Sequence, residues 1–181
     1  MRISAHRLFF ALRADAHTTR AIASAMATLE TKTAIRHRPI DPANLHVTLH
    51  FLGTFAQFPV DIAARAKAAV AAQVHSSFDF VLDQIASFRG QRQSPWVLRC
   101  APDAEAGLCE FQGWLGDALV RGGVTVDDRE FVPHATIAYG DSELPAPVAI
   151  TPVRWPARSF ALVDSHIGHA HHEVLAEWKL R

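Results

Sequence analysis

An α+β fold of two antiparallel-rich lobes, with outer helices and a cleft between the lobes, is predicted for this 181-residue chain by three observations. The stretches His46-Val47-Thr48-Leu49-His50-Phe51-Leu52-Gly53 and His134-Ala135-Thr136-Ile137-Ala138-Tyr139-Gly140 each set a histidine and a threonine two residues apart in an apolar run closed by glycine, which reads as a short buried strand. The second copy follows the first by 88 residues at both positions. Around each copy the order helix, histidine strand, strand, strand recurs, from Asp15 to Cys100 and from Asp103 to Arg181, without the sustained helix–strand alternation of a doubly wound sheet. One domain over 1–181 is expected, its lobe-forming halves at about 1–100 and 103–181 and related by a pseudo-two-fold.

Arg7 to Leu12, R-L-F-F-A-L, has the length and apolarity of a strand buried on both faces or lining a cleft. From Asp15, a helix cap, to about Thr33, the residues Ile22, Met26 and Leu29 form an amphipathic stripe. Arg36-His37-Arg38-Pro39 reads as a basic loop whose charges face solvent rather than a phosphate, and Asp41-Pro42-Ala43-Asn44 as a turn into the first histidine strand. Pro59 opens a second helix over Val60 to Val74. Phe78 to about Phe88 and Pro95 to Cys100 form a hairpin with a polar, basic tip at 89–94. Leu108, Phe111, Leu115 and Leu119 mark a third helix, stopped by Gly122-Gly123. After the second histidine strand, Pro145, Pro147, Pro152 and Pro156 mark an irregular connection excluded from a central strand. Ser159 to His166 and Val174 to Leu180 close the chain as strands, the last with Val174, Ala176, Trp178 and Leu180 on one face.

Composition narrows the function. Lysine and arginine balance aspartate and glutamate at 18 each, so the broad basic field that grips long nucleic acid is missing. The cations are 15 arginines against 3 lysines, and arginine suits phosphate oxygens and base faces. Cys100 and Cys109 fit neither a disulfide framework nor a zinc pattern. The start at Met1 lacks a signal-peptide pattern, and no apolar run approaches a membrane span. A cytoplasmic protein without membrane or obligate protein partner is expected. His17-Thr18-Thr19 repeats the histidine–threonine triplet in a polar helix start and is discounted. His166, His169, His171 and His172 cluster at the last turn, but only Glu173 adjoins them; neither a metal nor another cofactor is expected.

On a strand, residues i and i+2 share a face, so each motif presents an imidazole beside a hydroxyl. Two histidines in one cleft can hold opposite protonation states near neutral pH, one as base and one as acid. In-line displacement at phosphorus needs a proton acceptor and a proton donor at opposite ends, and the threonine hydroxyls can hold the non-bridging oxygens. No glycine-rich nucleotide loop points to ATP.

R-L-F-F-A-L, N-L-H-V-T-L-H-F-L-G, F-V-P-H-A-T-I-A and E-V-L-A-E-W-K-L together resemble the 2H phosphoesterase superfamily, and within it the bacterial RNA 2′,3′-cyclic phosphodiesterases, historically called 2′-5′ RNA ligases. The resemblance spans nearly the whole chain. It implies a bilobed α+β fold and metal-independent opening of a 2′,3′-cyclic phosphate to a 2′-phosphomonoester, on an RNA terminus or a small cyclic nucleotide. It further implies His134 as general base, His46 as general acid, Thr48 and Thr136 as phosphate-binding hydroxyls, and Phe10 beside the nucleobase. Where many relatives carry arginine three residues after the second threonine, this chain has Tyr139, which keeps base stacking but adds no charge. The alternatives are 2′-5′ RNA ligation at the same site, an RNA-end binding module without turnover, and a metal-dependent hydrolase using the histidine-rich turn.

Overall fold

Backbone pairing arranges the predicted strands into one sheet. The computed structural model describes residues 5–31, 34–88, 93–101, 104–166 and 171–181. The elements are β1 (His6–Arg13), α1 (Ala16–Glu30), β2 (His37–Pro39), β3 (His46–Phe55), α2 (Val60–Val70), β4 (Phe78–Ser87), β5 (Ser94–Arg99), α3 (Ala106–Arg121), β6 (His134–Gly140), β7 (Val148–Ala157), β8 (Ser159–His166) and β9 (His171–Lys179). The sheet order is β7-β4-β5-β6-β3-β1-β8-β9, with β2 on β6, and every pairing is antiparallel.

Two expectations change here. The two expected sheets are continuous through β3 and β6. The sequence halves 1–100 and 103–181 do not coincide with the halves of the sheet, because each side of that seam takes strands from both. With β2, α2 and β7 set aside, the recurring order is strand, helix, histidine strand, strand: β1-α1-β3-β4 and then β5-α3-β6-β8. The fourth strands are exchanged, β4 pairing with β5 and β8 with β1.

The helices cover one face. Asp15 caps α1 by accepting the Thr18 N–H at 2.7 Å, and Ile22, Met26 and Leu29 turn inward. Leu108, Phe111, Leu115 and Leu119 do the same from α3, and Ala63, Ala66 and Val70 from α2. They meet Leu8, Phe10 and Leu12 of β1 and Val47 and Leu49 of β3 in the main core. Each large apolar side chain buried there is worth about 1.5–3 kcal/mol. On the opposite face Phe9, Ala11, Ala161 and Val163 form a small second cluster with Phe51, so β1 is buried on both sides. No helix among the described residues is long and apolar enough to cross a membrane.

Two segments that read as loops in the sequence contain strands. The basic loop contains β2, and the proline-rich connection contains β7, which among the described residues pairs only with β4. An edge strand needs ladder bonds on one side alone, so prolines are tolerated; the β4–β7 register slips where Pro152 lies, between Ala149 and Val153. The second helix stops at Val70, short of the expected Val74. In β9 a register shift between Ala176 and Val174 breaks the expected single face, and Val174 is exposed.

Candidate active site at the β3–β6 seam

β3 and β6 meet where Val47 opposes Ala135. Antiparallel pairing then sets His46 beside Thr136 and Thr48 beside His134. Val47, Leu49, Ala135 and Ile137 point into the main core, so the alternating His46, Thr48, His134 and Thr136 occupy the other face, each half-buried.

The two imidazoles are held in the same way. His46 Nδ1 lies 2.6 Å from the Asn44 carbonyl oxygen, and His134 Nδ1 lies 2.6 Å from that of Val132. A carbonyl only accepts, so each Nδ1 donates its hydrogen and each Nε2 is left for proton transfer. Each strand then bulges at the same point. Ala11 and Phe10 of β1 face Thr48 and His50, skipping Leu49, while Val97 and Trp96 of β5 face Thr136 and Ala138, skipping Ile137. A bulge resets the alternation, returning Phe51 and Tyr139 toward the face of the histidines. The Arg7 guanidinium lies 5.3 Å from the Phe51 ring centre, and that of Arg38 5.8 Å from Tyr139. His50, the other histidine of the first motif, turns into the core and donates from Nε2 to the Gln112 carbonyl at 2.8 Å. Helix α3 passes so close that a Cβ at Gly116 would sit 2.9 Å from His50 Cε1.

The surroundings of the two histidines differ. Phe9 stacks on His46 at 5.0 Å and His172 meets it edge-on at 5.1 Å, whereas His134 has the Phe88 ring edge-on at 4.8 Å. Burial pushes the His46 pKa down to about 4, helped by His172, His134 and Arg13 and opposed by the Asn44 carbonyl. Burial also lowers His134, with Arg99 adding to it and the Val132 carbonyl opposing. Arg13 lies across from His46 in the β1–β3 pairing and Arg99 across from His134 in the β5–β6 pairing. Arg99 Nε is buried without a hydrogen-bond partner among the described residues. A pocket of about 260 Å³ opens beside Thr48 and His134, walled by Gln112 and by Asp127, Arg129 and Phe131 of the loop before β6.

Phe10 requires a correction. Its side chain is 0% exposed and packs in the main core at 6.2 Å from Phe160 and 5.8 Å from Trp178, so it faces away from the cleft; the β1 aromatic that meets His46 is Phe9. Tyr139 is half-buried, with the exposed Arg38 over its ring. Sequence reasoning missed Phe9, Phe88, Arg13 and Arg99, which reach the histidines only through strand pairing. The histidine-rich turn divides: His172 joins the cleft, whereas His166 faces Asp164 and His6. His169, like residues 89–92 of the hairpin tip, lies outside the described residues.

Comparison with known proteins gives the family and the fold. Residues 15–169, which include both motifs, match the 2′-5′ RNA ligase superfamily. The RNA 2′,3′-cyclic phosphodiesterase of Bacillus subtilis is 26% identical over 136 residues, covering 72% of this chain and 73% of that protein. The enzyme of the same name from Thermus thermophilus is 29% identical over 154 residues, covering 78% and 75%. The crystal structure of Escherichia coli LigT in apo form superposes with a TM-score of 0.75 at 23% identity over 98% of both chains. TT0787 of Thermus thermophilus gives 0.68 at 26% identity over 97% and 98%. With both motifs inside the matched span, the chain belongs to the 2′-5′ RNA ligase superfamily.

Proposed function

We propose that this protein is a phosphodiesterase that hydrolyses an RNA 2′,3′-cyclic phosphate to a 2′-phosphomonoester, using His46 and His134 as a two-histidine acid–base pair and no metal. The observation that carries the reading is the shared anchoring of the two imidazoles, each Nδ1 on the carbonyl two residues back, on strands paired at Val47 and Ala135. The names of the Bacillus and Thermus relatives support it, and LigT has been crystallised with 3′-AMP.

In this reading His134 Nε2 takes a proton from water as its oxygen attacks phosphorus. The bond from phosphorus to the 3′ oxygen breaks, and His46 Nε2 gives that oxygen its proton. One proton enters and one leaves the pair, so the pair ends in inverted protonation and is reset through solvent. Thr48 and Thr136 donate to the non-bridging oxygens as their charge grows, and Arg13 and Arg99 supply the positive field. Both histidines have lowered pKa values without a ligand. A phosphate anion beside Nε2 raises them, so the acid acquires its proton together with the substrate.

The test is cleavage of a short RNA ending in a 2′,3′-cyclic phosphate, with chelator present, by the parent, His46→Ala and His134→Ala. Release of a 2′-phosphate by the parent alone, with a bell-shaped pH profile, is the expected result. An inactive parent, or a variant with full activity, refutes the mechanism. Adding a 5′-hydroxyl RNA separates hydrolysis from ligation, and binding without product would indicate an RNA-end binding module.

A further inference from the structure

A second cluster of titratable groups lies on the other face of the sheet and takes no part in the chemistry above. His6 begins β1 and its Nδ1 is 2.7 Å from Asp164 Oδ2 on β8. His166, two residues further along β8, brings Nε2 to 3.3 Å from the same oxygen. Asp164 is 1% exposed, its Oδ1 has no hydrogen-bond partner among the described residues, and His166 Nε2 is likewise buried without one. The ligand atoms of the three residues all fall within 4.8 Å of one another. A buried carboxylate with one oxygen unbonded, whose other oxygen meets two imidazole nitrogens but hydrogen-bonds only one, is costly unless something completes the cluster.

We propose that His6, Asp164 and His166 bind a zinc-type divalent transition metal, with Glu173 as a fourth ligand closing the site toward solvent. Zinc bonds of about 2.0–2.1 Å in tetrahedral geometry place neighbouring ligand atoms about 3.3 Å apart. The His166–Asp164 distance already matches that value, and the shorter His6–Asp164 contact opens when the metal replaces the proton between them. Glu173 opposes Asp164 in the β8–β9 register and brings Oε2 to 3.6 Å from His166 Nε2. Two imidazoles with carboxylates favour zinc, cobalt or nickel over magnesium or calcium.

The site is separate from the two-histidine cleft. His6 stands at the opposite end of β1 from Arg13, the residue across from His46. Along β8, Phe160 and Leu162 point into the main core and Ala161 and Val163 into the opposite cluster. Strand alternation therefore puts Asp164 on the helix-covered face, away from the catalytic histidines. A bound ion would tie the start of β1 to the end of β8 and the start of β9, and the proposal does not depend on the phosphodiesterase reading.

The experiment is calorimetric titration of Zn²⁺ into tag-free, chelator-dialysed protein, with Co²⁺ absorption as a second readout. One saturable equivalent, a tetrahedral Co²⁺ spectrum and a raised thermal midpoint are expected. Affinity should fall at least about tenfold in His6→Ala and Asp164→Asn, and persist in His172→Ala, whose side chain lies on the cleft face. Because Asp164 is buried and its substitution can unfold the chain, the exposed Glu173→Gln is the companion variant, expected to weaken binding with the fold retained. Absence of saturable binding in the parent, or binding undiminished in both His6→Ala and Glu173→Gln, overturns the proposal.

Discussion

His46 and His134 share a backbone solution and differ in what lies around it. In both, Nδ1 is fixed by the carbonyl two residues back, a threonine follows two residues on, and the strand bulges at the next step. Around that common frame His46 is closed in by Phe9 and His172 and has Arg13 as its cross-strand neighbour. His134 has Phe88 and Arg99 and borders the open pocket. His172 comes from β9, outside the strand–helix–strand–strand repeat. The two motifs give the imidazoles a common backbone setting, and elements around them make their surroundings unequal. In the proposed acid–base mechanism that inequality would bias which imidazole is protonated.

The most severe way to break the comparison is to remove either imidazole. His46→Ala and His134→Ala should each lower kcat by about 10²–10⁴, and the double variant should be little worse than the poorer single one. Single-turnover cleavage of the cyclic phosphate terminus measures it.

Acid unfolding examines the His46 side. Burial holds its pKa down at about 4, below the 6.5 of a free imidazole, so between those values the unfolded chain binds a proton that the native protein does not. Its contribution is constant above pH 6.5. As pH falls to 4, it destabilises the fold by about 3 kcal/mol. Urea denaturation at pH 7.5 and pH 4.5 should show a smaller acid loss in His46→Gln than in the parent.

Thr48→Ala and Thr136→Ala should each cost about 10- to 100-fold in kcat/KM, the worth of one hydrogen bond to a charged group. Similar losses would mean that both hydroxyls hold the phosphate, while a loss at Thr136 alone would place it wholly on the β6 side. The mildest change is His172→Ala, which removes a like-charged neighbour and admits water. The His46 pKa should rise while that of His134 stays unchanged, as read by NMR titration of the imidazole resonances.

Much of this site is legible in the sequence because it is local. His46 with Thr48, and His134 with Thr136, share faces by strand period alone, and the stripes of α1 and α3 declare themselves through Ile22, Met26, Leu29 and through Leu108, Phe111, Leu115. Phe9 and Phe10 could not be separated, because a strand buried on both faces has no polar alternation to fix its parity. Arg13 and Arg99 become neighbours of the histidines only through pairings between distant segments. The edge strands β2 and β7 were hidden by prolines that an edge position tolerates. Assigning lobes to sequence halves failed because short-range pattern carries no information about which strand a fourth strand will join.

That strand exchange has its own consequence. With β4 seated beside β5 and β8 beside β1, a cut through the hairpin tip would leave two fragments, each lacking a strand that its own sheet requires. The two parts of the chain are interlocked rather than juxtaposed, so neither holds a complete set of paired strands by itself. The seam bearing His46 and His134 is therefore protected by the cooperativity of the whole chain.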